Sequence, residues 1–290
     1  MVEELWGLLL LDKPIGLTSH TAIRRAGRAL GIKKTGHAGT LDPLASGLML
    51  VGLGRGTRLL EFLVGLPKKY TAKIKLGVAT DTLDREGVVT EVAPVEGVTE
   101  DSLSAALDEF IGEIEQIPPV HSAIKKDGVP LHRRVRRGEE VVPEPRRVTI
   151  HALNLTAFDL PYIEVEAEVS SGTYIRSLAR DIGEKLETKA ALWELRRTSC
   201  GPFKVDDSAT IDDLESGLKR GILEPESMVA MLPSSTIGDK EAKAISTGTA
   251  IDAPKEAGDG CQFALLGEAG NLLAVARVED GKFKPRKVFI

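Results

Sequence analysis

Between Tyr70 and Val78 the chain alternates strictly, with Tyr70, Ala72, Ile74, Leu76 and Val78 on one face and Thr71, Lys73 and Lys75 on the other. That is the period of a half-buried strand. Trp6 to Leu11 is a short apolar strand ending in the turn Asp12-Lys13-Pro14-Ile15-Gly16, which places Lys13 at a strand end. Leu48-Met49-Leu50-Val51 reads as a buried strand. Val148 to Leu155 and Tyr162 to Val169 read as an antiparallel pair turning at Asp159-Leu160-Pro161. The helical period appears in Ala22, Ile23, Ala26, Ala29 and Leu30, opened by Ser19 as cap and closed by Gly31. It recurs from Thr99 to Ile111, in Ile175, Leu178, Ile182 and Leu186, around Leu59 to Leu63, and in a short helix capped by Thr210.

Around Pro233-Ser234-Ser235 the pattern loosens, which predicts a domain boundary. Two strands follow, Gln262 to Leu266 and Leu272 to Val278, and then Lys282, Lys284, Arg286 and Lys287. The expectation is an α+β chain with a larger unit over residues 1–234 and a small β-domain with a basic end over 235–290.

Composition narrows the function classes. A chain of 290 residues can bury its core without staples, and its two cysteines, Cys200 and Cys261, form no paired motif. Zinc and disulfides are therefore not expected. No basic leader precedes the first strand and no apolar run approaches the length of a membrane span, so the expected location is the cytoplasm. The net charge of -5 argues against a protein that coats nucleic acid over its whole surface. One stretch departs from it: His121 to Arg147 holds eight Lys/Arg, among them Arg133, Arg134, Arg136 and Arg137, against four acids. Pro130, Pro143 and Pro145 break any long helix there, so an exposed loop that grips phosphates is expected. Gly52-Leu53-Gly54-Arg55-Gly56-Thr57 is not a dinucleotide site, because Thr57 stands where the third glycine is needed.

The chemistry concentrates in Gly36-His37-Ala38-Gly39-Thr40-Leu41-Asp42-Pro43-Leu44-Ala45-Ser46-Gly47. Glycines admit a close backbone approach, and Pro43 biases Asp42 toward an extended conformation that presents its carboxylate. Asp42 is the candidate nucleophile. This stretch, continued through Leu48-Met49-Leu50, resembles the signature of the TruB family of tRNA pseudouridine synthases nearly residue for residue. Pro67-Lys68-Lys69-Tyr70, read as a lysine-rich turn leading into a strand, resembles the family's second motif. Ser170-Ser171-Gly172-Thr173-Tyr174-Ile175-Arg176-Ser177-Leu178 resembles its third, and Trp193-Glu194-Leu195-Arg196-Arg197 completes the set.

The resemblance covers about residues 6 to 205 and implies a pseudouridine-synthase fold, a mixed, mainly antiparallel sheet flanked by helices, with a basic insertion at about 121–147. The C-terminal β-domain resembles the family's RNA-binding PUA-type appendage. Asp42 is then implied as nucleophile, Arg176 as its ion-pair partner, and Tyr70 as the ring that stacks on the target base. His37 is implied against the RNA where the base is everted, Tyr174 and Leu195 in the pocket, and Asp84, from Thr80-Asp81-Thr82-Leu83-Asp84, facing it. Lys13 and the four arginines of the insertion are assigned with them to RNA binding. His121 and His132 depart from the family, whose members commonly carry aromatics there. The implied reaction isomerises the uridine of the tRNA T-loop, position 55; it has no redox step and needs no cofactor or metal. The expected partner is the T-stem-loop, with no membrane and no obligate protein. Two alternatives stay open: the catalytic subunit of a guide-RNA complex, and a non-catalytic RNA-binding or RNA-folding module.

Overall fold

The computed structural model describes residues 5–290 apart from 121, 123–124, 127–128, 131–136, 138, 140 and 142. Its centre is an eleven-stranded sheet whose main path runs Ala209–Thr210, Gly7–Lys13, Ala45–Leu53, Ala190–Cys200, Lys68–Leu76, Tyr162–Val169, Arg146–Asp159 and Gly112–Gln116. Along that path the pairings are antiparallel except two. Gly7–Lys13 with Ala209–Thr210, and Ala45–Leu53 with Ala190–Cys200, run parallel.

The two kinds of strand in the sequence reflect what covers each face. In Gly7–Lys13, Leu9 and Leu11 join one core together with Met49 and Val51, while Leu8 and Leu10 join a second with Leu48 and Leu50. Both faces are covered, so the run is continuously apolar. Lys68–Leu76 has only its Lys68, Tyr70, Ala72, Ile74 and Leu76 face buried, and it alternates. The first core is closed by the helices Ser19–Ala29, Glu100–Asp108, Ile175–Lys185 and Ile211–Glu215, through Ala22, Ile23 and Ala26, Leu103 and Leu107, Ile175, Leu178 and Ile182, and Ile211 and Leu214.

The second core belongs jointly to the central sheet and to a five-stranded sheet ordered Ser234–Thr236, Gln262–Leu266, Leu272–Glu279, Lys282–Val288 and Ile251–Asp252. Ala264, Leu272, Val275 and Phe289 of that unit pack with Leu8, Leu10 and Leu48. Phe289 stacks on Trp6 with ring centroids 5.0 Å apart, Arg55 lies over Trp6, and Arg58 lies over Phe289. The same two arginines donate to the carbonyls of Phe289 and Val288, at 2.6 and 2.8 Å. The C-terminal sheet keeps a core of its own around Ile237, Ile245, Leu265 and Phe283.

Several local expectations change. The first helix is capped by Thr18, whose hydroxyl accepts from the Thr21 amide, and Ser19 is buried inside the first turn. Lys68 and Lys69 are not a turn but the first residues of the strand. That strand ends at Leu76, because Gly77 takes a φ of +82°, and Val78 starts a separate hairpin strand, Val78–Thr80. The helix expected from Thr99 to Ile111 is Glu100–Asp108, with a capping box between Thr99 and Ser102, and Gly112 opens a strand instead of closing the helix.

The Trp6–Phe289 contact is expected to hold the two units together. Phe289→Ala should lower the stability of the chain by about 3 kcal/mol, the usual cost of deleting a well-packed phenylalanine, read as a lowered urea midpoint. A loss under about 1 kcal/mol would mean the stack is not part of a packed core.

Candidate active site

Asp42 is fixed from three directions before its carboxylate meets anything. The buried Ser19 hydroxyl donates to the Leu41 carbonyl and accepts from the Leu41 amide, both at 2.8 Å. The Gly16 amide donates to the Pro43 carbonyl at 2.8 Å, and the Ala45 amide to the Asp42 carbonyl at 3.1 Å. Serine at position 19 thus serves as a clamp on the loop 22 residues later, and not as a helix cap.

Arg176 sits in the first turn of Ile175–Lys185 and is 5 % exposed. Its Nη2 lies 2.9 Å from an oxygen of Asp42; its Nη1 donates to the Thr82 carbonyl at 3.0 Å and lies 3.5 Å from Asp84. Asp84 is itself held, accepting from the Thr82 hydroxyl at 2.7 Å and the Glu86 amide at 3.0 Å. Asp84 is therefore both a turn residue and an anchor for Arg176, with its side chain only 6 % exposed. Arg176 is positioned from the other side by Gln116, a buried amide that accepts from the Tyr174 backbone N–H at 2.8 Å and donates to its carbonyl at 3.2 Å.

These groups line one cavity of about 670 Å³. Asp42, Tyr70, Asp84, Tyr174, Arg176 and Leu195 all face it, together with Lys68, Arg197, Gly39 and Ser171. Burial and neighbouring charge set the protonation states. The Tyr174 phenol is pushed up, by desolvation first. His37 is held below the usual imidazole range by burial and by the Arg197 charge, which favours the neutral ring. His37 ends the strand Thr35–His37 and its Nδ1 accepts from the Gly39 amide at 3.4 Å, beside the cavity but not in its wall. Among the described residues no group of three or more His, Cys, Asp or Glu is placed to hold a metal, and no helix is long and apolar enough to cross a membrane.

Two expectations on charged groups change. Lys13, expected to contact RNA, is wholly buried and donates at 2.8 Å to the carbonyls of Pro14 and Leu17. It braces the turn whose Gly16 holds Pro43, and an ammonium without exposed surface cannot touch a phosphate. The basic end of the C-terminal unit is largely neutralised within the chain: Lys284 by Glu279 and Asp280, Arg286 by Glu279, and Lys287 by Glu61. Arg133, Arg134 and Arg136 lie outside the described residues, and Arg137 is exposed.

The residues missed in the sequence are Ser19, Gln116 and Arg197. Arg197 was legible in principle, since it stands two positions after Leu195 on the same strand face; it is 3 % exposed and donates to the carbonyls of Leu48 and Gly39. Nothing in the sequence marks Gln116 out, because its partner is backbone 58 residues away.

Known proteins resemble this chain over most of its length. The model described as TruB family pseudouridylate synthase (N terminal domain) matches residues 27–175, and that of the tRNA pseudouridylate synthase B C-terminal domain matches 176–230. The chain belongs to the TruB family. A tRNA pseudouridine synthase B of Azoarcus sp. (strain BH72) is 42% identical over 286 residues, 97% of this chain and 94% of the relative. Its counterpart in Corynebacterium diphtheriae is 44% identical over 249 residues, 83% of each chain. Among solved structures, a chain of the archaeal box H/ACA sRNP Nop10-Cbf5 complex superposes with a TM-score of 0.73 at 28% identity, over 98% of this chain and 86% of that one. The mixed α+β fold is that of these TruB-like pseudouridine synthases.

Burial lowers the Lys13 pKa to about 8 from 10.5, with Asp42 opposing the shift and Arg197 adding to it. A lysine depressed in the folded state binds fewer protons there than in the unfolded chain, so its charge penalises folding at neutral pH and the penalty fades as pH rises from about 8 to 10.5. Wild type should therefore gain about 3 kcal/mol over that window relative to Lys13→Met. Urea unfolding of both proteins at pH 7 and pH 10.5 measures it; a constant difference would mean that Lys13 keeps an ordinary pKa.

Proposed function

We propose that this chain isomerises uridine to pseudouridine in the T-loop of tRNA, at position 55, with Asp42 as the catalytic carboxylate. The observation that carries the reading is Asp42 itself, half exposed on the wall of a cavity of about 670 Å³ and held by a buried guanidinium at 2.9 Å. The reaction breaks the N1–C1′ bond, turns the base, joins C5 to C1′ and releases the C5 proton. Asp42 takes part either by attacking C1′ or by removing the C2′ proton; both routes need it ionised. The Arg176 guanidinium, 2.9 Å from one of its oxygens, holds the carboxylate in place. Tyr70 and the neutral His37 are planar groups suited to an everted base and to the place it leaves, Tyr174 and Leu195 bound the pocket, and the fixed Asp84–Arg176 contact keeps the geometry rigid.

The stand-alone mode is supported by relatives named tRNA pseudouridine synthase B that align over nearly the whole chain. The chain from the Nop10-Cbf5 complex is more distant, at 28% identity. The rest of the tRNA is gripped, in this reading, by the insertion at residues 121–147 and by the unit 235–290 as a PUA-like RNA-binding domain. That unit's lysines and arginines reach phosphates by exchanging partners, since exposed ion pairs are worth about 1 kcal/mol or less.

Purified protein alone should release tritium from C5-labelled uridine in a T-arm transcript; a need for added protein or guide RNA would favour the complex instead. Asp42→Asn should abolish turnover with RNA affinity largely kept, and retention of turnover within about tenfold, equivalent to about 1.4 kcal/mol of barrier, would sink the assignment. Arg176→Lys should also cost heavily, because an ammonium cannot reproduce the planar fork that spans Asp42, Asp84 and the Thr82 carbonyl. Converting Arg133, Arg134, Arg136 and Arg137 to Gln should weaken binding and flatten log K against log salt by about 0.7 to 0.9 for each phosphate no longer neutralised. An unchanged slope would remove the insertion from the RNA interface.

A further inference from the structure

Two buried cations in the cavity wall have no part in the chemistry above. Arg197 lies directly across from Tyr70 in the pairing of Ala190–Cys200 with Lys68–Leu76, and Lys68 stands two positions from Tyr70 on the same face. Both line the cavity and both are nearly inaccessible, at 3 % and 6 % exposure. Neither has a carboxylate within ion-pair distance among the described residues. The Lys68 ammonium donates to the Val64 carbonyl at 2.8 Å, and the Arg197 guanidinium donates to the carbonyls of Leu48 and Gly39.

Keeping such charges out of water without a counter-charge is costly, by several kcal/mol per ion in general. Their proximity makes it worse: the positive charge of Arg197 adds to burial in lowering the Lys68 pKa, and the Cys200 thiol, which opposes the shift, is itself pushed up toward the neutral form. The arrangement is a polar wall preorganised for an anion. Its position says which one. The Arg197 charge reaches the His37 ring, and Tyr70 is the cross-strand neighbour of Arg197. Tyr70, Lys68 and Arg197 line one cavity, so a nucleotide whose base sits on Tyr70 brings its flanking backbone within reach of both cations.

We propose that Lys68 and Arg197 form an anion subsite that receives a phosphodiester flanking the everted nucleotide. The inference rests on the RNA-modifying reading of the site, and it adds a positioning function: the subsite sets how deep the nucleotide enters, and so where C1′ stands relative to Asp42. Lys68 supplies a point charge and Arg197 a planar fork, of which the Nε hydrogen and one Nη2 hydrogen are already committed to the Leu48 and Gly39 carbonyls. That division fits an anion seated on one side of the guanidinium.

The test uses wild-type protein and short T-arm stem-loops in which one phosphate, immediately 5′ or immediately 3′ of the target uridine, is replaced by a neutral methylphosphonate. Affinity is measured by titration and reaction by single-turnover tritium release. At one of the two positions the neutral linkage should weaken binding by about tenfold or more, the usual effect of removing a charge-assisted hydrogen bond. Lys68→Met should weaken binding of the unmodified RNA similarly and be insensitive to the same methylphosphonate. Equal binding of both neutral RNAs and the native one by wild type overturns the subsite without any variant, so a misfolded Lys68→Met cannot hide the answer. Effects of variant and modification that simply multiply also overturn it. So does a Lys68→Met defect confined to the rate at saturating RNA, which would direct the charge at the departing uracil. If the unmodified stem-loop bound but released no tritium, the modification reading would fail, while the binding comparison would still decide whether the wall takes a phosphate.

Discussion

Everything at the candidate site depends on one cation being kept dry. The Arg176 guanidinium spans Asp42, Asp84 and the Thr82 carbonyl from almost complete burial. A buried charge of this kind is tolerable only when its donors are matched, and removing one partner of a buried pair typically costs about 3–5 kcal/mol in general. The matching explains why the surrounding chain is so constrained. Asp84 needs the turn in which Leu83 takes a φ of +64°, and the Tyr174 backbone needs Gln116. The Asp42 loop needs Ser19, and the turn behind it needs Lys13. The Ser19 and Gln116 clamps are side-chain-to-backbone bonds across long sequence separations, so the candidate carboxylate and its partner are fixed by parts of the fold outside the reacting centre.

The fold was legible where burial leaves a period. Lys68–Leu76 shows alternation because one of its faces is solvated, and Gly7–Lys13 shows a solid apolar run because two cores claim it. Helix faces such as Ile175, Leu178 and Ile182 were equally plain. The second core was not legible. No pattern in residues 262–289 says that Val275 and Phe289 pack against the central sheet, since apolar residues on a small β-unit read the same whether they close its own core or another's.

The site was legible through its motif and only partly through physics. Asp42 before Pro43, among glycines, announces a presented carboxylate. Arg176 read alone is a surface helix residue by ordinary statistics of arginine exposure, and the structure buries it. Lys13 misleads in the same way, because a lysine is taken for a surface group until the carbonyls that receive it are seen. Charge in the sequence reports which residues are basic; it does not report which way they point.

The place of the Ala190–Cys200 strand in the sheet carries a consequence for how the molecule comes to exist. That strand lies between Ala45–Leu53 and Lys68–Leu76, and Gly47 meets the Arg197 backbone so closely that a Cβ there would sit 2.3 Å from its carbonyl oxygen. The middle of the sheet is therefore supplied by a late part of the chain. On the ribosome, a nascent chain that has already delivered Asp42, Tyr70 and Arg176 still lacks the strand that seats them side by side. Contacts of such sequence separation form slowly, because loop closure comes before any gain from pairing. The strands beside Asp42 and Tyr70 are thus synthesised early, and the sheet between them cannot close until residues 190–200 are available to pair with both.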